Sequence, residues 1–206
     1  MQERKIFLDR VKIKQSAKEK ITNNLFPAII ISVIPVLTGF SMGVFSNISD
    51  RYDDASIFVI AIFQILIAIF VTKFHMKNSL EKAELEDAAR GLNIDIYLKF
   101  AGLYAIMCIK VALWSLLLVI PGIVKQYEYF YAPYVFLEDP TKTYRECFEE
   151  SKLLTDGIKT EMFITSLSFI GWWIGSVMTA GILGPFVLAY QNQTMADIYY
   201  FRKSEI

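Results

Sequence analysis

Long uncharged segments dominate the hydropathy pattern of this chain. Four stretches contain almost no charged residues: 25–49, 55–72, 100–124 and 162–196. Lys110, in the third stretch, is the one charged residue among them. A helix needs roughly 20 mainly apolar residues to cross a hydrocarbon core of about 30 Å. Helices of this length in soluble proteins normally carry a charged face. The pattern therefore predicts an all-α fold, a polytopic transmembrane helical bundle.

Two of these stretches contain residues that break helices. The last one would form a helix of about 52 Å at 1.5 Å per residue, but Gly181, Gly184 and Pro185 interrupt it. Pro121-Gly122 interrupts the third stretch, which predicts a hairpin between spans 3 and 4. We expect six spans, at about 25–46, 55–73, 98–120, 124–137, 161–178 and 185–201. A chain of five spans with a re-entrant piece is the alternative.

The positions of the charges predict the orientation of these spans. The sequence has 21 Lys plus Arg and 21 Asp plus Glu, so its formal net charge is zero. Four segments hold 18 of the cations and are expected in the cytoplasm, together with both termini: 1–24, 73–99, 138–160 and 202–206. The outside turns hold only Arg51 and Lys125. Residues 1–24 are expected to form a basic, partly amphipathic cytoplasmic helix, with a solvated basic tail as the alternative, and 25–206 a single membrane domain.

The composition and motifs argue against several classes of function. Hydrophobic residues make up 54% of the chain, which is not the composition of a disordered protein. Nucleic acid is not an expected partner, because there is no excess of basic residues. Cys108 and Cys147 lack the spacing of a zinc site, and His75 is expected as a flanking residue at a membrane boundary. No catalytic residue, cofactor or metal is predicted, since no catalytic or phosphate-binding motif is present.

Lys110 is the cation expected nearest to the middle of the bilayer. A buried cation costs at least about 2.5–3.5 kcal/mol on insertion scales, so a partner or water is expected. We expect Glu128, which follows Lys125 by three residues, to pair with Lys110 across the hairpin and to line a polar pocket. A purely structural ion pair is one alternative. A Lys110 side chain that extends to the interface is the other.

Three tyrosines follow Lys125 at helical spacing. Tyr127, Tyr131 and Tyr134 fall at positions i, i+4 and i+7. Anchoring at the membrane interface is the usual role of such residues, and a pocket for a lipid or another amphiphile is the sharper interpretation. The candidate site therefore consists of these three tyrosines with Lys110, Lys125 and Glu128.

Small and polar residues within the spans predict contacts between helices. Gly39 with Gly43, and Gly171 with Gly175, form two Gly-x-x-x-Gly motifs. Such motifs allow close packing within one chain, and a homodimer contact is the alternative use. The segment 191–194 places four polar side chains in the last span, where they must bond across helices or face water.

Motifs around the hairpin and the fifth span are similar to those of a known family. In chain order they are W-x5-IPGI-x-K at 114–125, Asp139-Pro140, Glu150-Ser151-Lys152, LSFIGW at 167–172 and Ala196-x-x-Tyr199. Together they resemble an uncharacterised integral-membrane family of Gram-positive bacteria over roughly residues 95–200. That family is distantly similar to the membrane domains of some glycerophosphodiester phosphodiesterases. The sequence contains no phosphodiesterase domain, so the resemblance implies no such activity.

These observations predict a non-enzymatic, multi-pass protein of the bacterial cytoplasmic membrane. We expect it to bind lipid or another amphiphile, or to serve as an accessory subunit of transport or envelope machinery. Membrane lipids are the expected partners, and a membrane protein or a second copy of the chain is a further candidate. A small transporter that uses the 98–137 hairpin is the first alternative, and a membrane enzyme that acts on lipid is the second.

Overall fold

The computed structural model describes residues 8–48 and 54–206, and this part of the chain is helical throughout, without strands. Eleven helices follow one another within the described residues: α1 Arg10–Asn23, α2 Leu25–Ile48, α3 Asp54–Leu80, α4 Leu85–Ala89, α5 Ile94–Leu117, α6 Val119–Tyr129, α7 Ala132–Glu138, α8 Tyr144–Thr155, α9 Lys159–Leu167, α10 Ile170–Met178 and α11 Gly184–Glu205. The all-α prediction is confirmed.

The helices lie where the sequence predicts apolar segments. α2, α3, α5 and α11 each cover one predicted span, whereas the fourth is divided between α6 and α7 and the fifth between α9 and α10. Within the described residues, two segments are long and apolar enough to cross a membrane, Ile94–Leu116 and Lys159–Met178. The pair Arg10–Asn23 and Leu25–Thr38, bent by 99°, adds a third if it is counted as one span.

The turn between α5 and α6 lies at Leu118, three residues before the predicted Pro-Gly break. Leu118 has an extended backbone and is both the C-cap residue of α5 and the N-cap residue of α6. Pro121 and Gly122 lie inside the first turn of α6, where proline is tolerated because its nitrogen needs no helical partner. A Cβ atom at Gly122 would lie 2.9 Å from the Cα atom of Ser115. Glycine therefore lets α6 return closely along α5.

Exposed apolar side chains concentrate at two turns of the described structure. Leu116, Val119 and Ile120 are 71–83% exposed at the α5–α6 turn. Val177, Met178 and Ile182 are 79–82% exposed at the end of α10 and beyond. Exposed large side chains that lie together in this way mark a surface covered by lipid or by another protein.

The first described helix packs onto the last one. Ala17 and Ile21 of α1 are fully buried, and the hydroxyl of Tyr190 in α11 donates to the carbonyl of Lys14 over 3.1 Å. Arg10 also pairs with Glu161 of α9 at 2.9 Å. Residues 10–23 are thus part of the folded bundle.

The predicted glycine motifs differ from the close contacts that the structure shows. Gly39 and Gly43 lie in α2, but their surroundings are outside the described residues. No described atom lies within 4 Å of a Cβ placed at Gly171, and the nearest to Gly175 is at 4.0 Å. Close packing of this kind within the chain occurs instead at Gly122 and at Gly184, where a Cβ would meet Val36 at 2.9 Å.

We expect Gly122→Ala to lower the free energy of unfolding by about 1–3 kcal/mol, because backbone atoms of Ser115 cannot move aside easily. Gly171→Ala is the matched control, and open space there predicts unchanged or slightly higher stability, since alanine favours helix. Thermal unfolding in detergent, followed by circular dichroism, measures both. Equal stability of the two variants would contradict the proposed contact.

Candidate functional site

Glu128 lies at the centre of the predicted polar group. Its buried carboxylate accepts hydrogen bonds from Nζ of Lys125 at 2.8 Å and from Nζ of Lys159 at 3.1 Å. The ammonium of Lys152 lies 3.6 Å from the same carboxylate. The three lysines belong to α6, α9 and α8, so one carboxylate connects three helices. The sequence predicted Lys125 as a residue of this site but not Lys152 or Lys159, because these two are distant from Glu128 in the chain.

Lys110 does not form the predicted pair with Glu128. Its Nζ lies 3.9 Å from the ring centroid of Phe148 and 5.3 Å from that of Tyr129. None of the ion pairs among the described residues includes Lys110. The prediction was wrong because α8, 34 residues further along the chain, packs its aromatic face against this part of α5. We call Lys110, Lys125, Lys152 and Lys159 the lysine cluster.

The hydroxyl of Ser151 fixes the position of Glu128. The helical hydrogen-bonding pattern is interrupted between α6 and α7, which leaves backbone groups there without helical partners. Ser151 of α8 donates to the carbonyl of Glu128 at 2.8 Å and accepts from the amide of Tyr131 at 3.1 Å. One buried side chain therefore satisfies both sides of the break and holds α8 against it.

The three predicted tyrosines do not form one stripe, because the break after α6 interrupts their helical periodicity. Tyr127 is partly buried and meets Phe163 edge to face, with 6.0 Å between the ring centroids. Tyr131 is fully buried and donates to the carbonyl of Met195 at 3.1 Å. Tyr131, Tyr134 and Tyr199 pack together with centroids 5.3–5.4 Å apart. Interface anchoring is therefore wrong for Tyr131 and Tyr134, which belong to the core.

Tyr134 also lines a cavity of about 580 Å³ between helices. Its wall is mainly apolar and includes Val71 of α3, Met107 and Val111 of α5, and Leu188 of α11. Of the candidate residues, only Tyr134 lies on this wall. We call this space the interhelical cavity.

A buried polar network surrounds Gln193 in α11. Its amide oxygen accepts from Asn78 at 2.9 Å and from Nδ1 of His75 at 3.1 Å, and its amide nitrogen donates to Ser79 at 2.8 Å and to Asp197 at 3.1 Å. The side-chain amide thus uses its full capacity of two donors and two acceptor positions. The sequence indicated that polar residues at 191–194 need partners, and for Gln193 this is confirmed.

The same network extends to the first helix. Asp197 accepts from the ammonium of Lys20 at 2.8 Å, and Asn24, which lies between α1 and α2, donates to Asn78 at 2.9 Å. The network therefore connects α1, α3 and α11 through buried side chains. His75, predicted as a flanking residue at a membrane boundary, is fully buried in it, since α11 covers this end of α3.

The buried titratable groups outside the predicted spans are poorly suited to catalysis. Burial lowers the pKa of His75 to about 4, so the imidazole is neutral at physiological pH. Burial raises the pKa of the Cys147 thiol to about 11, whereas a nucleophilic cysteine needs a lowered pKa. Within the described residues, no group of three His, Cys, Asp or Glu side chains is placed to hold a metal ion.

We expect Gln193→Leu to lower the free energy of unfolding by about 2–5 kcal/mol, because it leaves several buried polar groups without partners. Gln15→Leu makes the same change at an exposed position of α1 and is expected to leave stability within about 0.5 kcal/mol. Thermal unfolding in detergent compares the two variants. The network has no stabilising role if both behave like the unmodified protein.

Comparison with known proteins identifies the family. The chain matches the family described as protein of unknown function (DUF975) over residues 99–204, which is just over half of its 206 residues. This region contains the whole lysine cluster, Glu128 and Gln193. No curated protein and no solved structure matches the chain. The chain therefore belongs to the DUF975 family of proteins of unknown function.

Proposed function

We propose that this chain is a non-enzymatic, multi-pass protein of the bacterial cell membrane that binds a lipid or another amphiphile in the interhelical cavity. The observation that carries the proposal is the cavity itself. Its volume of about 580 Å³ falls in the range of about 300–1,000 Å³ that is typical of small-molecule sites. An apolar wall of this kind suits a hydrocarbon chain.

Polar groups on the wall of the cavity support an amphiphile rather than a pure hydrocarbon. Gln126 and Asn192 line the cavity, as do the hydroxyl-bearing rings of Tyr104 and Tyr134. In the described structure, none of these four side chains hydrogen-bonds to another protein group. They are therefore available to a polar end of the ligand, which gives the site both kinds of contact that an amphiphile requires.

A revised topology of the α5–α6 hairpin belongs to this proposal. Lys125 shares Glu128 with Lys152 and Lys159, so the three lysines lie on the same side of the membrane, in contrast to the predicted outside position of Lys125. From Leu118 to Lys125, α6 rises only about 11 Å, roughly a third of a hydrocarbon core of about 30 Å. The hairpin therefore enters and leaves on the cytoplasmic side, and both termini remain cytoplasmic.

Labelling of single cysteines tests this topology. In a background with Cys108→Ser and Cys147→Ala, we expect Lys125→Cys and Lys152→Cys to react with a membrane-impermeant maleimide in inverted vesicles. Arg51→Cys, on the opposite side according to the sequence, is expected to react only in right-side-out vesicles. Reaction of Lys125→Cys together with Arg51→Cys would restore the six-span topology.

Filling the cavity tests ligand binding. We expect Ala112→Phe, which places a ring in the cavity wall, to reduce the amount of co-purified amphiphile at least about fivefold, since the ring occupies part of the space needed by its chain. Ala105→Phe is the matched control, because it lies two turns earlier on α5 at an exposed position outside the wall. Mass spectrometry of solvent extracts from the purified proteins measures the bound amphiphile. Equal amounts in both variants would refute the cavity as the binding site.

A further inference from the structure

We propose that the lysine cluster binds the phosphate group of an anionic lipid headgroup. This site is separate from the interhelical cavity. None of the four lysines lines the cavity, and Lys110 lies about 160° around α5 from Cys108 and Ala112 and about 100° from Val111, although Met107 lies closer to it, at about 60°. The cluster and the cavity therefore lie on different sides of α5, and each can bind without the other.

The charge balance of the cluster calls for an anion. Three of the four ammonium groups share one carboxylate, that of Glu128, and Lys110 has no ion pair among the described residues, which leaves three positive charges of the cluster uncompensated. Neighbouring carboxylates of α8 and α9 are paired elsewhere, as shown by Glu149 with Arg145, Glu150 with Lys142, and Glu161 with Arg10. Lys159 is also the first residue of α9, so the helix dipole adds positive potential at this point.

The lysines converge on a single aromatic ring. The ammonium groups of Lys110, Lys125 and Lys152 lie 5.3, 5.8 and 6.0 Å from the ring centroid of Tyr129. Such contacts are favourable, but they do not remove the repulsion between three like charges. A phosphate group has several acceptor oxygens and would relieve that repulsion by bonding to more than one lysine.

The surroundings favour a lipid as the source of the phosphate. Lys125 lies 5.2 Å from the ring of Trp114, which is 40% exposed, and tryptophan prefers the headgroup level of a membrane. Leu116 and Val119, both highly exposed, follow within a few residues. A lipid held by its phosphate at the lysines can therefore lay its acyl chain along this apolar surface. Lys152 remains 47% exposed, so the cluster is accessible from the water side.

Binding of phosphatidylglycerol to the full-length protein in detergent tests the proposal. We expect Lys110→Gln with Lys152→Gln to weaken binding, measured by native mass spectrometry, on the order of tenfold. Lys125, Lys159 and Glu128 remain in this variant, so the ion pair between α6 and α9 is kept, and Ser151 still bonds α8 to Glu128. Lys82→Gln with Lys99→Gln removes the same charge from exposed positions that form no ion pair in the described structure, and should change binding less than twofold.

Residue-level labelling gives an independent measurement in the unmodified protein. Phosphatidylglycerol is expected to protect Lys110 and Lys152 from an amine-reactive reagent, but not Lys82 or Lys99, whereas phosphatidylcholine protects none of them.

Arginine at both positions is the conservative replacement. Lys110→Arg with Lys152→Arg should bind phosphatidylglycerol like the unmodified protein, in contrast to the glutamine variant, because arginine keeps the charge.

Three results would overturn the proposal. The first is equal binding by the two glutamine variants, and the second is equal protection by phosphatidylcholine. The third is protection by inorganic phosphate at the same concentration as by phosphatidylglycerol, which would identify a free-anion site instead of a lipid site. The Ala112→Phe variant, altered in the cavity, should still bind phosphatidylglycerol at the lysine cluster with unchanged affinity. The cavity proposal and the cluster proposal can therefore fail independently of each other.

Discussion

The arrangement of the second half of the chain depends on two groups of Glu128, its side-chain carboxylate and its backbone carbonyl. Its carboxylate draws lysines from α6, α8 and α9 together, and its carbonyl accepts from Ser151. Removing a buried carboxylate that is shared in this way would leave three partly exposed positive charges facing one another without a counterion, which is unfavourable. The position of α8 against α5 and α6 follows from this one residue. The proposed cytoplasmic position of Lys125 rests on the same contacts.

A different chemistry holds the first half of the bundle. Gln193 connects α3 to α11 through a fully used amide, and Lys20 and Asn24 extend the connection to α1. Polar contacts of this kind are expected in a membrane protein, because lipid tails are as apolar as the side chains and provide little hydrophobic drive for helices to associate. The bundle can therefore leave Leu116 or Val177 exposed and still have a defined interior.

The sequence predicts the helices far better than the contacts between them. The apolar stretches and their interruptions locate helices such as α2 and α11 to within about four residues, because hydropathy is a local property. The predicted pair of Lys110 and Glu128 failed because it relied on closeness in the chain. Apart from Tyr129 and Lys125 of α6, the neighbours of the two residues come from α8 and α9, and no local pattern reports that packing. Gly171 has no close neighbour within the described chain for a similar reason, since a motif permits close approach but does not supply a partner, and its alternative use in a homodimer stays a prediction.

The position of Lys125 also changes the meaning of the charge pattern. With Lys125 outside, two of the 21 cations fall on the outer side and Lys110 lies deep in the bilayer. A hairpin that returns to the cytoplasmic side moves Lys125 beside Lys152. It also places Lys110 against Phe148 of α8, a helix rich in charged residues. Arg51 is then the one cation of the sequence assigned to the outer side, which strengthens the positive-inside pattern. In the proposed topology, Lys110 therefore lies at the level of the charged helix α8 and needs no partner at mid-membrane.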